Sequence, residues 1–159
     1  MTLVHFVPHD KTLISTKWVF SNKKDSNNNI VKRKVRLVAR GFKQKEDIDY
    51  ELTYSPTLNI DCLKLIFAIA AKFSWNIFQL DIKAVYLNAE LDKEIYTTIP
   101  PGDTNFGRGY WRLNKALYGL KQSGRQWNKK FSQFLKTNGH IQLISEECIY
   151  CKIKNNKKK

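Results

Sequence analysis

The apolar positions change period several times along the chain, and each change marks an element. Residues 1 to 13 carry no sustained pattern and read as a lead-in segment. Ile14 to Lys24 and Ile30 to Gly41 are extended, strand-like runs, the second alternating basic with apolar residues. Asp25-Ser26-Asn27-Asn28-Asn29 between them is rich in turn formers, so the two runs predict a β-hairpin. Lys43 to Thr53 is polar and turn-like, and Pro56 marks a break. Asn59 is a good N-cap for a helix with Asp61 in its first turn, and Ile60, Leu63, Ile66, Phe67, Ala70 and Phe73 repeat at three- and four-residue steps, predicting one apolar helix face. Ile77, Phe78, Leu80 and Ile82 predict a buried strand with Asp81 at its end, followed by a turn or short helix over Lys83 to Asn88. Short strands are expected at Glu94 to Ile99, ended by Pro100-Pro101-Gly102, and at Tyr110 to Asn114. Gln122 to Thr137 predicts a helix with Trp127, Phe131, Phe134 and Leu135 on one face and Gly139 as its stop. Ile141 to Ile144 and Cys148 to Lys154 complete the strands, ahead of a charged tail, and neither an internal repeat nor a clear domain linker is visible.

Charge adds a direction to this picture. Lys and Arg number 28 against 14 acids, a formal charge of +14, and 42% hydrophobic with 13% aromatic residues argues for a folded chain. The cations are segregated. No acid occurs from Thr104 to Ser145, where Arg108, Arg112, Lys115, Lys121, Arg125, Lys129, Lys130 and Lys136 fall, and seven basic residues with no acid lie between Lys32 and Lys45. Such a distribution builds a basic face suited to a polyanion, nucleic acid first. Three cysteines, no signal peptide and no long apolar run predict a reducing, intracellular setting without a membrane. Cys148 and Cys151 form a lone C-x-x-C, short of the four ligands of a zinc site, and read as strand cysteines. His5 and His9 lack a third ligand and read as surface residues.

The candidate chemistry centres on Gln79-Leu80-Asp81-Ile82-Lys83-Ala84-Val85-Tyr86-Leu87-Asn88. An acid at a strand end is either an exposed turn residue or the ligand of a hard cation such as Mg²⁺. With its flanks the stretch resembles the first carboxylate motif of reverse transcriptases from copia-type LTR retrotransposons. Further matches are Lys17-Trp18-Val19-Phe20, Val35-Arg36-Leu37-Val38-Ala39-Arg40-Gly41-Phe42, Ile48-Asp49-Tyr50, Tyr54-Ser55-Pro56, Glu94-Ile95-Tyr96, Pro100-Pro101-Gly102 and Leu113-Asn114-Lys115-Ala116-Leu117-Tyr118-Gly119-Leu120-Lys121-Gln122-Ser123 with Trp127. They run in the family's order from about residue 3 to about residue 151.

The resemblance implies an α+β fold, a fingers and partial palm fragment with helices on one face of a mostly antiparallel, incomplete sheet. The fingers hairpin and its connection would occupy about residues 14–56, fingers and palm elements about 57–154, and a basic tail 155–159. It implies two-metal phosphoryl transfer from a dNTP to a primer 3′-hydroxyl, with Asp81 and the backbone carbonyl of Ile82 as Mg²⁺ ligands and an RNA template, a DNA primer and the rest of a Pol polyprotein as partners. Tyr86 matches the aromatic under the sugar, or else is a core tyrosine. Tyr118 and Gly119 match a substrate motif, Gly119 allowing close approach of backbone to nucleotide, though a tight turn ahead of a helix reads the same way. Lys34, Arg36 and Arg40, spaced to share a strand face, would meet dNTP phosphates, and Lys121, Gln122, Arg125 and Lys129 would meet nucleic acid. For the intact element the resemblance places the protein in a cytoplasmic virus-like particle and the nucleus.

Gly124 stands where many relatives have proline and Ala89 where many have glycine. The family's downstream Tyr-x-Asp-Asp hairpin has no counterpart, since the sequence contains no Asp-Asp pair. The chain is therefore expected to be truncated and inactive alone, with Ile77, Phe78, Leu80, Ile82 and the Trp127-Phe131-Phe134 face under-covered. The alternative reading is a non-catalytic, basic nucleic-acid-binding remnant.

Overall fold

A computed structural model describes residues 1–103 and 108–153. Lys154 and the tail at 155–159, both assigned from sequence, lie outside the described residues. In chain order the elements are β1 (Thr2–Val4), β2 (Leu13–Ile14), β3 (Thr16–Lys24), β4 (Ile30–Ala39), α1 (Ile60–Lys72), β5 (Tyr96–Thr98), β6 (Tyr110–Arg112), α2 (Ser123–Thr137), β7 (Ile141–Gln142) and β8 (Tyr150–Cys151), with 3₁₀ turns at Gly41–Lys43 and Val85–Asn88. The chain divides into two compact units, Met1–Tyr54 with Ala84–Trp127 and Ser55–Lys83 with Asn128–Lys159.

In the first unit β3 and β4 form the expected hairpin, paired antiparallel from Thr16 opposite Ala39 to Lys24 opposite Ile30. Its turn is built on Asp25, whose Oδ1 accepts the amides of Asn27 and Asn29, both at 2.9 Å, while Asn28 takes a left-handed φ of 67°. A second sheet has the order β1-β6-β5-β2, with β2 and β5 parallel and the other pairs antiparallel. The lead-in segment of the sequence thus supplies β1 and the first residue of β2, whose Ile14 was expected to open the hairpin strand that starts instead at Thr16. Each of these two strands is too short to carry a periodic signal, and each is fixed by a partner some 80 to 110 residues away. Ile14, Ala39, Ile95, Leu113, Leu117 and Leu120 form the buried core, with Leu37 and Leu91 packed on it.

The second unit holds α1, capped as expected: Asn59 Oδ1 accepts the Asp61 amide at 2.8 Å. The helix turns Cys62, Leu63, Ile66, Ile69 and Ala70 inward, whereas Ile60, Phe67 and Phe73 are exposed, so the covered stripe is rotated from the predicted one. After α1 the Trp75 amide bonds back to Ala70 O at 2.8 Å. Residues 75–82 then run without secondary structure, correcting the predicted strand. Among the described residues this segment has no ladder partner, and an extended run becomes a strand only when its peptide groups are paired. Ile77, Phe78, Leu80 and Ile82 are exposed, Leu80 by 91%. The sheets number three among the described residues, two of them two-stranded hairpins, in place of the single sheet expected.

α2 forms over the predicted range, and Gly139 follows it at φ +79°. Its buried positions are largely polar: Gln122 just ahead of it, then Ser123, Gln126 and Ser132. Trp127, Phe131 and Leu135 are half-buried and Phe134 is exposed. Cys148 lies ahead of β8 and Cys151 within it, and all three cysteines are free. Burial pushes the Cys148 thiol up, the opposite of what a thiolate ligand needs. No helix among the described residues is long and apolar enough to cross a membrane.

The hairpin turn makes a testable claim. The Asn29 amide, ahead of other donors, holds the Asp25 carboxyl below its ordinary value. A lowered value means that the turn is fully held above the ordinary carboxylate range and released as pH falls through the lowered one. The Asn27 and Asn29 amide shifts should titrate together, with a midpoint below that of an unstructured aspartate, and should lose that titration in Asp25→Asn. A midpoint at or above the unstructured value would show that the carboxylate does not hold the turn.

Candidate nucleotide-binding site

Three stretches of the first unit meet at the turn Tyr118–Ser123. The end of β4 reaches it through the Ala39 amide, which donates to Tyr118 O at 2.8 Å. Gly119 takes φ +88°, and a Cβ built there would lie 2.1 Å from Ala39 O and 2.6 Å from Val38 Cγ1. A Cβ at Gly41 would lie 2.0 Å from Gly119 O. The glycine at 119 is thus required by the chain's own packing, and the space assigned from sequence to a nucleotide is filled on this side by Ala39 and Val38.

The turn presents Tyr118 to two of the sequence-predicted residues. The Tyr86 ring meets it edge-on at 4.9 Å between centroids, and the Arg36 guanidinium lies 5.8 Å from the Tyr118 centroid. Tyr86 is carried by the 3₁₀ turn Val85–Asn88, entered through Ala84 in the left-handed region and closed by Ala89 N to Tyr86 O at 3.0 Å. Ala89 is fully buried, and its carbonyl accepts the Ala116 amide at 2.9 Å, two residues before Tyr118. Both tyrosines and Arg36 are half-buried, leaving ring and cation surface available. Ala89 has φ −88°, a conformation open to any residue, so its side chain costs nothing there.

Strand register decides the rest of the basic set. Successive side chains alternate faces, so Lys34 and Arg36 share one face with Lys32 and with Lys17 and Lys23 across the hairpin. Arg40 does not join them: β4 ends at Ala39, and Arg40 lies at the start of the 3₁₀ turn with φ −84°, ψ 73°. Lys121 points its Nζ to Tyr50 Oη at 2.8 Å, 4.6 Å from that ring's centroid. Gln122 is fully buried, donating to Asp49 O at 2.8 Å and accepting from Gln44 Nε2 at 2.9 Å, so it has no surface to offer a nucleic acid. Arg125 donates to Tyr54 O at 3.3 Å. Lys129 is exposed on the second unit's part of α2, lining a recess of about 380 Å³ with Ser132, Lys136 and Glu147.

Asp81 is exposed on the unpaired segment of the second unit, with Ile82 beside it. Among the described residues no three His, Cys, Asp or Glu side chains gather as a metal-binding group. One solvated carboxylate does not make a two-metal site, so these residues by themselves do not fit the Mg²⁺ pair. The sequence reading missed Gln44, Asp49 and Tyr50 as the bracket around the turn. Ile48-Asp49-Tyr50 stood out as a motif match, but Gln44 carried no signal in a polar stretch.

The two glycines with similar backbone and different surroundings separate strain from close approach. Gly119→Ala should destabilise by roughly 2–5 kcal/mol, backbone strain plus overpacking. Gly102 has φ +85° with nothing within 4 Å of a built Cβ, so Gly102→Ala should cost only about 1–2 kcal/mol. Denaturant midpoints followed by tryptophan fluorescence compare them, and equal losses would refute the packing argument.

A family model described as reverse transcriptase (RNA-dependent DNA polymerase) matches residues 1–158. The chain is 38% identical over 148 residues to the Retrovirus-related Pol polyprotein from transposon TNT 1-94 of Nicotiana tabacum, covering 92% of this chain and 11% of that protein. It is 34% identical over 145 residues to the corresponding polyprotein from transposon RE2 of Arabidopsis thaliana, with 90% and 10% covered. To the Transposon Ty1-BL Gag-Pol polyprotein of Saccharomyces cerevisiae it is 32% identical over 141 residues, with 88% and 8% covered. The chain therefore spans about a tenth of the length of these curated relatives. No solved structure matches. The chain belongs to the reverse transcriptase family of copia-type retrotransposon Pol polyproteins.

Proposed function

We propose that these residues are the part of a retrotransposon RNA-directed DNA polymerase that binds the incoming dNTP and the template–primer. The observation that carries this reading is the grouping of Tyr86, Tyr118 and Arg36, three residues of the dNTP set, around one turn. Aromatic rings and a guanidinium suit a base or sugar beside a phosphate chain. Tyr86 is the sugar gate, its ring occupying the space of a ribose 2′-hydroxyl. The cationic hairpin face supports polyanion binding in a second way. Lys23 lies directly opposite Lys32, a like-charged cross-strand pair that costs stability until phosphates neutralise it.

Asp81 contributes one carboxylate to catalysis, the remaining acids coming from elsewhere in the Pol polyprotein. Two metal ions held by Asp81 and such further acids would supply charge stabilisation for the attacking and leaving oxygens of phosphoryl transfer. The described residues do not assemble that site, so the role proposed for them alone is binding.

Fluorescence anisotropy with a labelled dNTP and a labelled RNA–DNA primer–template tests the reading. Tyr118→Ala should weaken dNTP binding about tenfold or more, the worth of one stacked ring. Lys32→Ala with Lys34→Ala should weaken primer–template binding and flatten its fall with salt. Unchanged dNTP affinity in Tyr118→Ala, or duplex affinity insensitive to salt, would defeat it.

A further inference from the structure

The segment Gln44–Tyr50 touches the Tyr118–Ser123 turn at Lys121 and Gln122, separately from the Ala39 contact at Tyr118. Gln44 does most of this. Its Oε1 accepts the Lys121 amide at 2.8 Å, and its Nε2 donates to Gln122 Oε1 at 2.9 Å. A single side-chain amide here offers one donor and one acceptor to its neighbour, as a paired strand would. Gln122 passes the contact on to Asp49 O, and Asp49 Oδ2 accepts the Lys45 amide at 2.8 Å, closing the bracket on its own segment. Tyr50 Oη then takes the Lys121 ammonium. Gln44 is only 5% exposed, and its own amide donates to Gly41 O at 3.0 Å, so the 3₁₀ turn sets where it stands.

We propose that Gln44 is a positioning residue for nucleotide binding: by bracketing Lys121 and Gln122 it fixes the turn that presents Tyr118 to Tyr86 and Arg36, without touching the ligand itself. The inference rests on the nucleotide-binding reading of that cluster. The turn is held at Tyr118 by the Ala39 amide and at Lys121 by Gln44, so its two ends have separate anchors. Ser123 Oγ on Leu117 O and the buried Leu117 and Leu120 keep the turn in place without Gln44, so removing Gln44 loosens the Lys121 end and the aim of Tyr118 rather than the fold. Buried and polar, Gln44 also has a directional role that shape alone cannot replace: an acid at this position can accept from Lys121 but sets an acceptor against Gln122 Oε1. If Gln122 flips to meet it, the acceptor conflict moves to Asp49 O.

Gln44→Met keeps the volume and removes both hydrogen bonds, and Gln44→Glu keeps one. Backbone amide exchange, thermal melting, labelled-dNTP binding and labelled-duplex binding are measured on each variant of the full chain, beside Tyr118→Ala. The expected result for Gln44→Met is a folded chain whose Lys121 and Ala39 amides exchange faster while β1–β6 amides do not. Its dNTP affinity should fall about tenfold, as misplacing one stacked ring would make it, with duplex affinity unchanged. Gln44→Glu, which adds an acceptor conflict and a buried charge to the lost donor, should be affected at least as much as Gln44→Met in both readouts. Unchanged Ala39 exchange, or dNTP affinity unchanged in Gln44→Met but lost in Tyr118→Ala, overturns the positioning role and leaves the site reading standing. Unchanged dNTP affinity in Tyr118→Ala as well overturns the site reading and the inference with it. Unfolding of both Gln44 variants also overturns it, since Gln44 is then needed for the fold rather than for the aim of Tyr118.

Discussion

The first unit depends on how closely the peptide of Gly119 lies against two others. A side chain at Gly119 would run into the Ala39 carbonyl, and one at Gly41 would run into the carbonyl of Gly119. That approach lets the Ala39 amide reach Tyr118 O, brings Leu117 and Leu120 onto the core with Ala39 and Ile14, and puts Gln44 within reach of the turn. The aromatic cluster is a consequence of backbone packing rather than its cause. Tyr118 gains about a kilocalorie at most from its edge contact with Tyr86, too little to organise three chain segments. The paired peptides and the buried apolar side chains beneath them carry that task, and the rings are left with surface to spend on a ligand.

Charge is arranged by the same backbone logic. Alternation along β4 puts Lys32, Lys34 and Arg36 on one face, and antiparallel register adds Lys17 and Lys23 from β3. The other face carries Trp18, Phe20, Val31 and Val35, all exposed. A two-stranded ribbon with a cationic side and an aromatic side has little stability of its own, and its length and pairing rest on the Asp25 turn and the ladder. By contrast, Lys121 and Arg125 spend their charge within the unit, on Tyr50 and on Tyr54 O. Net charge alone does not distinguish these two groups; hydrogen-bond partners do.

What the sequence made legible was what is decided locally. The hairpin, the Asn59 cap, the span of α2 and the 3₁₀ turn at Val85–Asn88 each follow from a few consecutive residues. The sheet β1-β6-β5-β2 was not legible as a whole, because its strands are two or three residues long and β1 and β2 carry no period. Arg40 was misplaced by a strand end one residue too early for it. Gln122 was expected to meet nucleic acid, yet it is fully buried, since a glutamine is indistinguishable in sequence whether it faces water or another amide. The Tyr86–Tyr118–Arg36 grouping was anticipated through the family motifs, and no spacing within the chain would have brought three such distant residues together.

Residues 77–82 show most clearly where local reasoning stops. Phe78, Leu80 and Ile82 alternate with Gln79 and Asp81, the period of a strand, yet the described residues supply no partner and the segment stays unpaired. Exposure is the stable state for Asp81 under those conditions. Burying its carboxylate without a counter-charge would cost several kcal/mol, about as much as covering two of its apolar neighbours contributes. Alternation keeps the two terms apart: an element pairing with this segment can cover Phe78, Leu80 and Ile82 on one face while Gln79 and Asp81 stay solvated on the other. The lack of a ladder partner among the described residues, rather than the charge on Asp81, is what leaves the segment unpaired.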